Sequence, residues 1–113
     1  MPRTSIRSQP CAGINLLALD EDAAVGFTQL YPSFSSGAAA PILILNDLFV
    51  VPSARRCGVA TSLLRAAVEA ARAAGAVRLT LSTEIVNEAA RQLYEREGWT
   101  LQADFCVYNL ALT

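Results

Sequence analysis

The feature that most constrains this chain is the strongly apolar run ILILNDLFVV at residues 42–51, which stands between Pro41 and Pro52. Its β-branched residues are typical of a strand that is covered on both faces. A polar pair, Asn46 and Asp47, interrupts the run, and burying polar side chains is costly unless they are hydrogen-bonded. Two interpretations are open: the pair marks a bulge or a solvated strand end, or the strand opens there onto a functional site.

A loop, PSARRCGVA, leads from this run into a helix that we expect at residues 58–74. Its charged residues Arg65, Glu69 and Arg72 fall on one stripe, and alanines with larger apolar residues form a broad opposite face. Gly75 is suited to end the helix. The pattern predicts a helix that packs closely on a sheet.

The rest of the chain is expected to complete that sheet in the order β-β-β-α-β-α-β-β. The expected strands lie at residues 14–19, 25–31, 42–51, 77–83, 99–103 and 105–112. The first two strands predict an antiparallel hairpin around an acidic turn. Residues 33–41 are expected to form a loop, and the second helix begins at Asn87, a good N-cap, and ends at Gly98. The result is one mixed α/β domain over residues 1–113.

Composition excludes several classes of function. The chain has 113 residues, 53% of them hydrophobic, which favours one packed domain over disorder. A net charge of -1 argues against non-specific nucleic-acid binding, and the absence of histidine excludes Ser-His-Asp and Cys-His nucleophile arrangements. The sequence shows neither a membrane-spanning run nor a signal peptide, and its three separated cysteines suggest no zinc cluster. We expect a cytoplasmic protein.

The start of the first helix could bind an anion. A helix N-terminus presents free backbone N–H groups and the positive end of the helix dipole. Gly58 and Ala60 are small enough for a phosphate to approach, and Arg55 and Arg56 would add charge. The sequence contains neither the GxxxxGK[ST] nor the GxGxxG phosphate loop. Tight packing of helix on sheet is the alternative explanation for these small residues.

A second candidate site is formed by Asn87 and Tyr94, which lie two helical turns apart and therefore on nearly the same helix face. A tyrosine at the boundary of the core is the alternative explanation.

Together, the two segments resemble the GNAT superfamily of acyl-CoA-dependent N-acyltransferases over about residues 14–112. LNDLFVVPSARRCGVATSLL is similar to the family's [Q/R]-x-x-G-x-[G/A] loop, and NEAARQLYEREGW is similar to its Asn…Leu-Tyr…Gly-aromatic element. LNDLFVVP also resembles members that act on polyamines or other small amines. The resemblance implies a GNAT-like mixed, mostly antiparallel sheet with helices packed on it.

The resemblance further implies an N-acetyltransferase that moves an acetyl group from acetyl-CoA to a primary amine of a small molecule, polyamine-like or amino-acid-like, without a metal. Tyr94 would protonate the leaving thiolate, and Asn87 would contact the pantetheine region. Two groups of residues would bind the rest of acetyl-CoA. They are Leu48, Phe49 and Val50 for the pantetheine arm, and Arg55, Arg56, Cys57, Gly58, Val59, Ala60 and Thr61 for the pyrophosphate.

The sequence departs from the family at the general base. Many relatives carry a glutamate at the position of Ser82. Glu84, which in a regular strand would point the same way, is the first candidate base, and Asp47 is the second. Each is alternatively an ordinary solvated carboxylate. Cys57 replaces a polar or basic residue, and is either a reactive thiol with a lowered pKa or a tolerated small residue.

The family's usual first strand and two helices are expected to be lacking, with residues 1–13 poorly ordered. Their absence would expose a strand edge and apolar surface. We therefore expect a homodimer in which a neighbour covers that edge, with or without exchange of strands. The alternative function is a catalytically weak or inactive acyl-CoA-binding module, or a fragment whose surface serves association.

Overall fold

The computed structural model describes residues 4–10, 13–35, 37, 39–55, 58–102 and 106–112. The chain divides into two compact units, Met1–Ser82 and Thr83–Thr113. Each unit is described by itself, and a single domain over residues 1–113 stays a prediction. Among the described residues, no helix combines the length and the apolar character needed to cross a membrane.

The first unit contains one five-stranded sheet and one long helix. Its elements are β1 (Thr4–Pro10), β2 (Ile14–Asp20), β3 (Ala23–Ser35), β4 (Ala40–Val50), α1 (Val59–Ala73) and β5 (Leu79–Thr80). The strands lie in the order β1-β2-β3-β4-β5, and every pair is antiparallel except β4 and β5, which are parallel. The mixed, mostly antiparallel sheet is confirmed.

The hairpin of β2 and β3 is confirmed, with Glu21 in a left-handed conformation at its turn. The predicted loop at residues 33–41 is shorter than expected, because β3 continues to Ser35 and β4 begins at Ala40. Pro32 is tolerated inside β3 because the last residue of β3 that pairs with β2 is Leu30. The missing N–H of Pro32 therefore breaks no bond to β2.

The N-terminal segment contains a strand that the sequence did not predict. Residues Thr4–Pro10 form β1, which pairs with β2 along its whole length. Its sequence, TSIRSQP, has Ile6 as its one large apolar residue and thus lacks the alternation that indicates a strand. Such a polar sequence suits an edge strand, where one side of the backbone is not covered by the sheet.

The core lies between the sheet and the apolar face of α1. The buried side chains of that helix are Val59, Leu63, Leu64, Ala67 and Ala71. They pack against buried residues of the three central strands, which are Leu16, Ala18, Leu30, Leu43 and Leu45. The charged stripe is exposed as predicted, and Arg72 pairs with Glu69 at 2.9 Å, an exposed ion pair of little energetic weight.

The second unit holds α2 (Glu88–Arg96). The strands expected at 99–103 and 105–112 are wrong over the described residues, because residues 99–102 and 106–112 form no strand. Apolar side chains in the last segment, such as Tyr108 and Leu112, are 92% and 88% exposed. Apolar and β-branched residues favour a strand only where a neighbouring backbone supplies the hydrogen-bond partners. None of the described residues supplies such partners here.

Candidate functional site

A bulge interrupts β4 at the polar pair. Leu30 of β3 pairs with Leu45, whereas the preceding Gln29 pairs with Asp47, so Asn46 is the extra residue on β4. Both polar side chains are exposed, and Asn46 Nδ2 donates a hydrogen bond to Asp47 Oδ2 at 3.4 Å. The interpretation of the pair as a bulge is confirmed, and it leaves the Asp47 carboxylate in solvent.

Two neighbouring residues of β3 flank the bulge on opposite faces of the sheet. Thr28 is fully buried on the face that packs on α1, and its hydroxyl donates to the main-chain carbonyl of Asp47. Gln29 lies on the other face, where its Nε2 donates to Asn15 Oδ1 at 2.9 Å and its Oε1 accepts from Tyr31 at 3.4 Å. Thr28 therefore bonds to the bulged strand itself, whereas the side chain of Gln29 links β3 to β2.

Beyond the bulge, one edge of β4 is open. The short strand β5 pairs only with Leu43 and Ile44, and none of the described strands pairs with β4 farther along that edge. Leu48, Phe49 and Val50 follow at this open edge. Main-chain groups at such an edge can bind an extended ligand in the manner of an added strand.

The ring of Phe49 lies on the face opposite α1, with its centroid 6.1 Å from that of Phe27. Phe49 remains 43% exposed. An aromatic side chain is thus presented to solvent beside the open edge of β4.

The chain passes from β4 into α1 through a short 3-10 turn, Pro52–Ala54. Arg55 follows directly, and its Nε donates to the Val50 carbonyl at 3.1 Å. That hydrogen bond holds the Nε end of the guanidinium group at the end of β4. Arg56 and Cys57 lie outside the described residues, so their expected roles stay predictions.

The N-terminus of α1 has the features of an anion site. Gly58 is the N-cap, with φ 80° and ψ 7°. It offers no side chain that could cap the helix, and no acidic residue lies in the first turn. A Cβ at Gly58 would have no atom within 4 Å, so glycine is suited here by its left-handed backbone rather than by lack of space. The N–H groups of Val59, Ala60 and Thr61 precede the first intrahelical donor, Ser62, which bonds to the Gly58 carbonyl at 3.0 Å.

The second unit contains Glu84, Asn87 and Tyr94. Asn87 is the N-cap of α2, as predicted, and its Oδ1 accepts from the Ala90 N–H at 3.2 Å. Glu84 is exposed, and its carbonyl accepts from the Asn87 N–H at 3.0 Å. The strand expected at residues 77–83 would have placed Glu84 in line with Ser82. That prediction is wrong, because β5 ends at Thr80.

Tyr94 is partly buried, and its ring centroid lies 6.0 Å from that of Trp99. Desolvation by this burial raises the pKa of the Tyr94 phenol above its ordinary value. The shift favours the neutral form, which carries the phenolic proton.

The site residues thus form two sets. The bulge of β4, its open edge, Arg55 and the N-terminus of α1 belong to the first unit, and Glu84, Asn87 and Tyr94 belong to the second. The sequence profile described as the acetyltransferase (GNAT) family matches residues 3–99. The chain belongs to this family.

Individual relatives agree with that assignment. An uncharacterised N-acetyltransferase of Bacillus subtilis (strain 168) is 50% identical over 95 residues, which cover 84% of this chain and 64% of the relative. The aminoglycoside N(6′)-acetyltransferase type 1 of Klebsiella aerogenes is 32% identical over 95 residues, which cover 82% of this chain and 62% of that enzyme. The chain therefore spans a little under two thirds of the length of these two relatives.

A solved structure supports the fold. The crystal structure of a probable acetyltransferase matches 88% of this chain and 68% of its own, with a TM-score of 0.81 and 43% sequence identity. The GNAT resemblance and the mixed α/β fold are both confirmed.

Two residues beside the candidate site were not found from the sequence. Gly26 lies in β3 where a Cβ would approach the Phe49 carbonyl to 2.8 Å and Val59 Cγ1 to 3.1 Å. A glycine inside a strand pattern is a signal of close approach and could have indicated this contact. Thr28 carried no such signal, because only the register shows that it faces the bulge.

Proposed function

We propose that this protein transfers an acetyl group from acetyl-CoA to a primary amine of a small molecule. The observation that carries the proposal is the succession, among the described residues between Asn46 and Thr61, of a bulged strand, an open strand edge and a helix N-terminus whose N-cap is glycine. An acyl-CoA has an extended amide-containing arm and a pyrophosphate, and this arrangement offers main-chain partners for both.

The residues of the first unit fit acetyl-CoA. The open edge at Leu48, Phe49 and Val50 would bind the pantetheine arm through the main chain. The pyrophosphate would be held by N–H groups at the start of α1, where the helix dipole is positive and acidic side chains are absent from the first turn. The side chain or main chain of seven residues would take part, namely Arg55, Arg56, Cys57, Gly58, Val59, Ala60 and Thr61. When bound, acetyl-CoA supplies the activated acetyl thioester.

We assign Tyr94 as the group that gives a proton to the leaving thiolate. A phenol with an ordinary pKa of about 10 is already neutral at physiological pH, and burial raises the pKa of Tyr94 further, so the side chain carries the proton to be transferred. Asn87 is assigned to the pantetheine region, where its Nδ2 would donate while its Oδ1 continues to cap α2.

The acceptor must lose a proton, because an ammonium group has no lone pair with which to attack. Asp47 and Glu84 are the two candidates for the base, and both carboxylates are exposed. The strand alignment that favoured Glu84 does not form, whereas Asp47 stands at the bulge beside the open edge of β4. We therefore place Asp47 first. An exposed carboxylate there would also attract a cationic amine.

The acceptor class is proposed as polyamine-like or amino-acid-like. The name of the Klebsiella relative, an aminoglycoside N-acetyltransferase, supports a small-molecule amine as the acceptor. Nothing in the proposal requires a metal.

A paired measurement tests the function. Acetyl-CoA is incubated with spermidine, free amino acids and an aminoglycoside in turn, and the released thiol is followed, while CoA binding is titrated by calorimetry. We expect CoA binding and amine-dependent thiol release. Binding without release from any acceptor would support the alternative of a catalytically inactive acyl-CoA-binding module, and no binding at millimolar CoA would contradict both.

We further propose a cytoplasmic homodimer. β1 is the outer strand of the sheet, and no strand of the described residues pairs with its outer edge. An open edge of seven residues favours association with a second copy. Sedimentation at micromolar concentration is expected to show a dimer, and a stable monomer would contradict the proposal.

A further inference from the structure

Thr28 is the one polar or charged residue that is buried among the described residues, with 0% of its surface exposed. Its hydroxyl donates to the main-chain carbonyl of Asp47, so the burial of this polar group is compensated. That carbonyl belongs to the residue beside the β-bulge, where the regular ladder between β3 and β4 is interrupted. A side-chain bond therefore holds a peptide group that the ladder alone holds less firmly.

The direction of that carbonyl fixes the direction of the next amide. In a trans peptide, the carbonyl of Asp47 and the N–H of Leu48 point in opposite directions. Since Thr28 lies on β3, its bond draws the carbonyl toward β3 and turns the Leu48 N–H toward the other edge of β4. On that edge, no described strand pairs with β4 beyond Ile44.

We propose that Thr28 is a positioning residue for acetyl transfer: it holds the Asp47–Leu48 peptide so that the Leu48 N–H is presented at the open edge of β4. This inference rests on the proposed function. During transfer, a C–N bond forms and the C–S bond breaks, the amine loses a proton and the thiolate gains one. The acyl oxygen carries negative charge in between, and a fixed N–H donor stabilises that charge.

The proposal predicts an effect on the chemical step rather than on binding of the coenzyme. Removing a single donor to such an oxygen typically lowers kcat by about 100-fold to 1,000-fold. Thr28→Val leaves the Leu48 N–H in place but frees its direction, so we expect a smaller loss in kcat, about 10-fold to 100-fold. The Kd of CoA should change by less than about twofold, because the pyrophosphate site is untouched.

Three variants separate positioning from stability. Thr28→Val keeps the shape and removes the hydroxyl, Thr28→Ser keeps the hydroxyl, and Ile42→Val is the control, since Ile42 is a buried apolar residue of β4 before the bulge. The probes are acetyl-CoA with spermidine, or whichever tested amine the wild-type protein accepts. We expect Thr28→Ser to restore most of kcat, and Ile42→Val to lower the Tm without lowering kcat.

A second measurement does not depend on turnover. Hydrogen exchange of the Leu48 amide is followed by NMR with and without acetyl-CoA. We expect acetyl-CoA to slow this exchange in the wild-type protein and to slow it about tenfold less in Thr28→Val. Unchanged kcat and unchanged protection in Thr28→Val, or failure of Thr28→Ser to rescue them, would overturn the proposal. If the wild-type protein releases no thiol with any amine, the proposed function fails. The protection of Leu48 then decides by itself whether Thr28 orients the peptide.

Discussion

Gly26 of β3 lies directly against Val59, the first residue of α1, so that a Cβ on Gly26 would come within 3.1 Å of Val59 Cγ1. The same Cβ would approach the carbonyl of Phe49 to 2.8 Å. Real Cβ atoms do not sit that close to a main-chain oxygen, so a larger residue must displace either β4 or the helix. Gly26 therefore sets the distance between the open end of β4 and the N-terminus of α1, which are the two parts of the proposed acetyl-CoA site.

We expect Gly26→Ala to lower the free energy of unfolding by about 1–3 kcal/mol, because it overpacks a tight contact. It should also weaken CoA binding, since it changes the distance between the end of β4 and the start of α1. Chemical denaturation and calorimetry measure the two effects. Gly37→Ala is the control, because a Cβ at Gly37 has no atom within 4 Å. Equal stabilities of the two variants would contradict this account of Gly26.

Charge at the helix N-terminus can be separated from conformation at Gly58. Asparagine and aspartate both tolerate the left-handed backbone better than other residues and differ here in charge. We expect Gly58→Asp to bind CoA at least about tenfold more weakly than Gly58→Asn, because its carboxylate repels the pyrophosphate. The Tm should show the opposite order or none, since an acidic residue at an N-cap favours the helix. Equal Kd values for CoA in calorimetry would place the pyrophosphate elsewhere.

Periodicity predicted the elements whose signal lies within their own sequence. The helix expected at residues 58–74 is Val59–Ala73, and Gly75 follows it with a positive φ of 78°. The hairpin around the acidic turn was found in the same way. Elements that depend on a partner strand were not predicted well. β1 is a strand because β2 lies beside it and pairs with it. Residues 106–112 are mostly apolar but form no strand, because no described strand pairs with them.

The candidate site was predictable to a similar extent. A small-residue turn before a helix indicated the anion site, and the polar pair in an apolar strand indicated a bulge, because both are local patterns. The support behind the bulge was not predictable. Thr28 and Asp47 are 19 residues apart in sequence, and a threonine in a strand gives no local sign of what it faces. Only the register between β3 and β4 brings them together.

Asn87 has two assigned roles that substitution can separate. Asn87→Ala removes the acceptor for the Ala90 N–H and should lower the free energy of unfolding by about 0.5–2 kcal/mol. Asn87→Asp keeps an N-cap acceptor but replaces the Nδ2 donor by a carboxylate oxygen, so stability should be retained while the affinity for CoA falls. Denaturation and calorimetry are run on both variants. Wild-type affinity in Asn87→Asp would leave Asn87 with the capping role alone.

Tyr94 provides a test that depends on pH. We expect Tyr94→Phe to lower kcat by about 100-fold while the Kd of CoA is unchanged, because proton transfer is lost and the packing of the ring against Trp99 is kept. Wild-type kcat in Tyr94→Phe would exclude the phenol as the proton donor and would leave the thiolate to be protonated by water.

The raised pKa of Tyr94 also fixes the direction of a change in stability. Because burial disfavours the ionised phenol in the folded protein, the unfolded chain loses this proton first, at a pH of about 10. The contribution of Tyr94 to stability should therefore be fully present below that pH, and should be lost as the pH rises through the higher folded pKa. The difference between the tyrosinate absorbance titrations of the wild-type protein and Tyr94→Phe measures the folded pKa. Denaturation of both proteins below and above a pH of about 10 measures the loss of stability. If the wild-type protein loses no more stability than Tyr94→Phe, Tyr94 is not desolvated by the fold.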